Sequence, residues 1–110
     1  MIMKRIHIAL STSNIDASIE DYSKRMGCGP VSVVPNQYAL WRTETVNLSI
    51  RHDMSVPCGQ LRHLGWEEPD VSGFTESVDV NGITWESFTA EQQADEINKF
   101  WPESKYTVGS

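Results

Sequence analysis

Two histidines stand in matching settings in this chain. His7 lies in the run Arg5-Ile6-His7-Ile8-Ala9-Leu10, and His63 in Leu61-Arg62-His63-Leu64-Gly65-Trp66. Each is third in a short apolar stretch that reads as a strand, with an arginine just before it. An imidazole is a hydrogen-bonding group, a proton carrier and a common metal ligand at neutral pH. A strand that begins twice with the same inward-capable histidine suggests an internal duplication. It would also let one metal ion or one ligand meet both rings. Other chemistry-bearing residues give weaker signals. Ser11, Thr12 and Ser13 follow His7, but no acid completes a triad in recognisable order, so turn and cap chemistry is the expectation. His52-Asp53 reads as a surface pair in a loop. Cys58 has no arguable base beside it, and Cys28 and Cys58 form no CxxC pair, so reduced cysteines and a cytoplasmic setting are expected.

Several elements must position these residues. Residues 4–11 read as a buried strand. A helix follows, capped by Ser13 or Asn14, favoured by Asp16 in its first turn and ended by Gly27. Its apolar face is Ile15, Ile19, Tyr22 and Met26. Strands are predicted at residues 31–34, 37–42 and 45–51. The last alternates, with Val46, Leu48 and Ile50 on one side and Asn47, Ser49 and Arg51 on the other. A loop over 52–60 leads to a fifth strand at 61–67. Val71, Phe74 and Val78 have the spacing of a short helix, weakened by Gly73 and Thr75. Asn81-Gly82 marks a turn before a sixth strand over 83–88. Thr89-Ala90-Glu91-Gln92 then reads as a capping box opening a last helix along Ala90, Ala94, Ile97 and Trp101, which Pro102 stops. Residues 103–110 read as a flexible polar tail.

Size and charge narrow the function classes. A chain of 110 residues makes a single domain, 1–110, with room for a real core. Four tryptophans, Trp41, Trp66, Trp85 and Trp101, are many for this length, and core packing is their first expected role. A net charge of −6 argues against a nucleic-acid groove, which needs a basic face. No run of 18 apolar residues offers a membrane span, and the first five residues carry no signal-peptide core.

The predicted fold class is α+β. A βαβββ module is followed by a shortened β-α-β unit and a C-terminal helix, with a mixed sheet curved around a pocket. The segments Ile6-His7-Ile8-Ala9-Leu10, Asn14-Ile15-Asp16 and Ser18-Ile19-Glu20-Asp21-Tyr22 through Met26-Gly27 carry a family likeness, as does Arg62-His63-Leu64-Gly65-Trp66-Glu67. In this order and spacing they resemble the vicinal oxygen chelate superfamily, which includes glyoxalase I, bleomycin- and fosfomycin-resistance proteins and extradiol dioxygenases. In its metal-dependent members four residues converge inside a cupped sheet. The resemblance matches the first-strand histidine to His7, the fourth-strand ligand to Asn47 and the fifth-strand histidine to His63. The chain departs from the pattern twice. Asn47 is a neutral amide and a poor metal ligand. The last strand and its glutamate are expected to be missing, because the chain passes from its sixth strand straight into a helix.

Glu67, Glu86 and Glu44 are the carboxylates able to replace that glutamate, and strand parity favours Glu67, two steps of two from His63. The same parity gives a polar, partly cationic concave face of Arg5, His7, Asn47, Ser49, Arg51 and His63. Three functions stay open. One is a small-molecule-binding protein, as bleomycin-resistance members are, holding a polar or anionic ligand with Arg5 or Arg51 and stacking it on Trp41 or Trp85. Another is a divalent-metal lyase, isomerase or dioxygenase, with zinc, nickel, manganese or iron on His7, His63 and Glu67. The third is an accessory interaction protein that has lost the site, which predicts no deep pocket between the half-sheets. Sheet edges left by the abbreviated second unit point to a homodimer.

Overall fold

The computed structural model describes residues 4–109. Met1–Met3, part of the stretch read as carrying no signal-peptide core, and Ser110, the last residue of the expected tail, lie outside the described residues. The elements run β1 (Arg5–Thr12), α1 (Ile15–Met26), β2 (Ser32–Val34), β3 (Tyr38–Arg42), β4 (Val46–His52), β5 (Leu61–Glu67), β6 (Thr75–Val78), β7 (Thr84–Phe88) and α2 (Ala90–Phe100). The caps are those that the sequence marks. The Asn14 side chain accepts from the Ala17 N–H at 3.0 Å, and Gly27 ends α1 at φ +74°. Thr89 and Gln92 form a reciprocal capping box at α2. No helix among the described residues is long and apolar enough to cross a membrane.

The seven strands of the described residues form one mixed sheet in the order β2-β3-β4-β1-β5-β7-β6. Its centre is nearly symmetric. His7 and His63 are 56 residues apart, and the same offset carries the pair His7↔Gly65 onto His63↔Ala9, which is also observed. Ile8↔Leu64 sits on the local two-fold. Each central strand then takes a parallel outer partner, β4 beside β1 and β7 beside β5. The strand read over 83–88 therefore fills the place of the last strand, which was expected to be missing. β7 is the counterpart of β4, and the pair Gly65↔Glu86 repeats Ala9↔Ser49.

Alternation divides the sheet into two faces. One carries Leu10, Ala39, Trp41, Leu48 and Ile50, and α1 covers it with Ile15, Ile19, Tyr22 and Met26. The other carries His7, Ala9, Tyr38, Leu40, Asn47 and Ser49. There α2 packs Ala94 and Ile97 against Val34, Tyr38 and Leu40.

Two elements differ from the sequence reading. Residues 71–78 form no helix; Pro69, Gly73 and Thr75 oppose one, and the chain pairs as β6 instead. Residues 103–109 are not a loose tail. A 3-10 turn over Pro102–Ser104 brings Tyr106 into the core beside Val34 and Ala94, with Val108 packed on it. Asn98 fastens the turn. Its amide donates to the Tyr106 carbonyl at 2.7 Å, and its oxygen accepts from the Tyr106 N–H at 2.8 Å.

Two buried features fix the centre of the sheet. The Glu67 carboxylate, 3% exposed, takes Arg5 Nη1 at 2.7 Å, Arg42 Nε at 2.8 Å and Nη2 at 3.0 Å, and Asn47 Nδ2 at 2.9 Å. Burial by itself would raise its pKa. The hydrogen bonds from Arg42 and Asn47 and the arginine charges outweigh burial and hold it below the usual carboxylate range. Gly65 lies where β5 meets β7, and a Cβ there would strike the backbone carbonyl of Glu86. Gly65→Ala must push β7 outwards, and we expect a loss of about 2 kcal/mol, or roughly 8 °C in Tm, by thermal denaturation. Glu67→Gln leaves two arginines without their counter-ion and is expected to cost about 3 kcal/mol in urea unfolding. A loss under about 0.5 kcal/mol would show that solvent replaces the pairing.

Candidate metal centre

Three donors from three neighbouring strands converge on the concave face. His7 comes from β1, His63 from β5 and Glu86 from β7. Their ligating atoms lie within 4.8 Å of one another. His7 Nε2 is 3.0 Å from His63 Nε2, and His63 Nε2 is 3.1 Å from Glu86 Oε1. Ligand atoms bonded at about 2.0–2.2 Å to one ion sit roughly 3.0–3.5 Å apart, so these two spacings are already those of a coordination shell.

The orientation of His7 is determined by the groups behind it. Asn47 is fully buried. Glu67 can only accept, so the Asn47 amide nitrogen must face it at 2.9 Å, and the same nitrogen donates to Gln93 Oε1 at 2.7 Å. The Asn47 oxygen therefore faces His7, and His7 Nδ1 donates its proton to it at 2.8 Å. Neutral His7 then carries its lone pair on Nε2, the atom aimed at His63. Burial, assisted by the His63 charge and opposed by the Asn47 hydrogen bond, lowers the His7 pKa from 6.5 to about 4. The ring is neutral at physiological pH, as a ligand must be. Phe88 meets it edge-on with centroids 4.9 Å apart.

All three donors line one cavity of about 170 Å³ between the half-sheets and α2. Ser49 and Arg51 reach it from β4, and Phe74, Phe88, Ile97, Phe100 and Trp101 supply its apolar wall. The Arg51 guanidinium lies 5.1 Å from the Phe100 ring centroid and 5.4 Å from that of Trp101. Arg62 also lines the cavity, although strand parity turns it away. A bulge explains this. Ala9 pairs with His63, but Leu10 pairs with Leu61, so Arg62 is an extra residue swung onto the face of His63. Burial and then the Arg51 charge lower its pKa.

The other residues singled out from sequence sit elsewhere. The Glu67 carboxylate is engaged by Arg5, Arg42 and Asn47, and the carboxylate beside the histidines is Glu86. Arg5 is held by Glu67 and by the Thr43 carbonyl at 2.6 Å, not turned into the cavity. Trp41 is fully buried on the opposite face under α1, and its Nε1 donates to Ser23 Oγ at 3.4 Å. Trp85 shares the row of Leu64 and Ile8, also away from the cavity, and its indole donates to Asp79. Trp101, not either of these, supplies the indole in the cavity wall. Asn47 stands behind His7 as its hydrogen-bond acceptor. Glu44 is exposed in the turn between β3 and β4.

No family model matches the sequence. A curated relative, the trivalent organoarsenical cleaving enzyme of Bacillus sp. (strain MD1), is 32% identical over 113 aligned residues. The match takes in 90% of this chain and 65% of the relative, so the chain spans just under two-thirds of that protein's length. Over nine-tenths of its residues, this chain is similar to an enzyme named for cleaving trivalent organoarsenicals.

Proposed function

We propose that this chain binds one divalent metal ion through His7, His63 and Glu86 and acts on a small molecule in the adjoining cavity, as a short protein of the vicinal oxygen chelate type. The observation that carries the reading is the convergence of two imidazole Nε2 atoms and one carboxylate, with His7 locked so that its Nε2 is unprotonated. Two imidazoles and a carboxylate suit zinc, and with open positions they suit iron(II). When bound, such an ion supplies Lewis-acid polarisation of a substrate oxygen. The chain supplies the rest. Asn47 and Gln93 orient His7, and Phe74 and Phe88 exclude water from one side of the site. The parallel pairing of β1 with β4 and of β5 with β7 supports the family reading, as does the organoarsenical-cleaving relative. A cavity between the half-sheets counts against a fold that has lost its site.

The relative's name makes trivalent organoarsenicals the first substrates to try. Neither cysteine lines the cavity, since Cys28 and Cys58 are both exposed. A soft arsenic atom would meet imidazole, carboxylate and guanidinium there rather than thiolate. The reading therefore commits to the metal and to a small molecule, not to arsenic. A homodimer belongs to the same proposal. The face of β5 and β7 opposite the cavity carries Leu64, Trp66 and Trp85, with Trp66 36% exposed. Sedimentation at micromolar concentration is expected to give a dimer, and a monomer alone would remove that part.

Titration with zinc, nickel, manganese and iron(II) is expected to give one ion per chain. His7→Ala, His63→Ala and Glu86→Gln should each weaken it about 100-fold, while Glu44→Gln leaves it unchanged. Absence of stoichiometric binding, or binding indifferent to all three changes, would overturn the metal centre. A pH effect follows for the metal-free protein. The His7 pKa falls from 6.5 to about 4 on folding, so the unfolded chain takes up the proton first. Stability from this group is full above pH 6.5 and is lost as the pH falls from 6.5 towards 4. The loss is on the order of 3 kcal/mol. Denaturation of His7→Asn across that window should lack this slope.

A further inference from the structure

Arg51 and Arg62 turn two positive charges into the cavity that holds the three donors. Among the described residues, neither makes an ion pair. By contrast, Arg5 and Arg42 are both held by Glu67. Arg62 reaches the cavity only because β5 bulges there; a regular strand would place it on the opposite face. The guanidinium of Arg51 is held against Phe100 and Trp101. Such stacking engages the flat faces of the group and leaves its N–H edge free to donate. The two like charges repel one another, and Glu86 and Glu96 on the same lining offset them.

We infer that Arg51 and Arg62 form an oxyanion subsite beside the metal centre, and that the small molecule is an oxyacid anion, a carboxylate or phosphonate, carried on a single apolar ring. The inference deepens the proposed function, because it assigns the substrate class of the same cavity. Charge supports it. The lining carries Arg51 and Arg62 against Glu86 and Glu96, so a divalent ion leaves it net positive. Guanidinium is also the side chain best matched to the paired oxygens of such a head group. Size supports the single ring. A cavity of about 150 Å³ accommodates benzene, and this one measures about 170 Å³. Phe74, Phe88 and Ile97 give the ring an apolar wall.

The test is calorimetric titration of the zinc-loaded protein with phenylphosphonate, with neutral benzamide as the control. Arg51→Gln, Arg62→Gln and Arg62→Lys are compared with the unaltered chain, and zinc affinity is measured for each. Phenylphosphonate should bind at least about tenfold more tightly than benzamide. Each glutamine variant should lose about tenfold or more of that affinity, and Arg62→Lys should recover part of it. Zinc affinity should stay within about threefold in all variants, since none of them removes a donor. Phenylphosphonate binding that ignores both glutamine changes, that matches benzamide, or that is absent from the zinc-loaded protein would overturn the subsite. Failure of the unaltered chain to bind zinc would overturn the metal centre instead. The zinc-free titration then decides the subsite by the same glutamine comparison: sensitivity supports it, and indifference overturns it.

Discussion

One buried carboxylate organises the middle of this protein. Glu67 sits at the end of β5 and gathers Arg5 from β1, Arg42 from β3 and Asn47 from β4. A carboxylate is expensive to remove from water, and it stays ionised here only because donors surround it. That constraint passes outward in steps. Glu67 fixes which end of Asn47 is nitrogen, Asn47 fixes which nitrogen of His7 holds the proton, and His7 then presents a lone pair to the cavity. The candidate ligand thus depends on an acidic residue that lies two hydrogen bonds behind it.

The two faces of the sheet divide the work of the chain. Under α1 the packing is apolar, with Ala39, Trp41 and Ile50 almost wholly enclosed. On the concave face, apolar packing lies where α2 covers β2 and β3 and where Phe88 stacks on Phe74, and polar groups fill the centre. A polar centre of this kind folds only if its groups satisfy one another. Among the described residues Ser11 Oγ is the single buried side-chain atom without a hydrogen-bond partner.

Much of this was legible from residue order. Asn14, Gly27 and the Thr89–Gln92 box gave the helix ends, because capping chemistry is local. Alternation placed His7, Asn47, Ser49, Arg51 and His63 on one face, because a polar residue between apolar neighbours betrays its side of a strand. What escaped was not local. Glu86 was one of three carboxylates in view, but its place beside the histidines comes from the parallel register of β5 and β7, which is set across the 16 residues between Glu67 and Thr84 and carries no mark in either segment. Parity favoured Glu67, yet it does not separate the two, since both face the cup. Arg62 was hidden by a bulge, which breaks the rule used to read the strand. Trp41 was misplaced because Tyr38, Ala39, Leu40 and Trp41 are all apolar or aromatic, and such a run does not say which face is which.

The position of α2 has a consequence for the order in which this molecule becomes competent. The three donors are all in place once β7 has joined the sheet, but the wall that encloses them is Gln93, Ile97, Phe100 and Trp101, which follow β7 in the chain. During synthesis the sheet can assemble its donors while they still face water, and enclosure comes afterwards, when α2 docks. An ion entering at that stage would meet an open, hydrated face rather than a cavity walled on one side by α2. Loading and closing would then be consecutive events, ordered by the direction of translation.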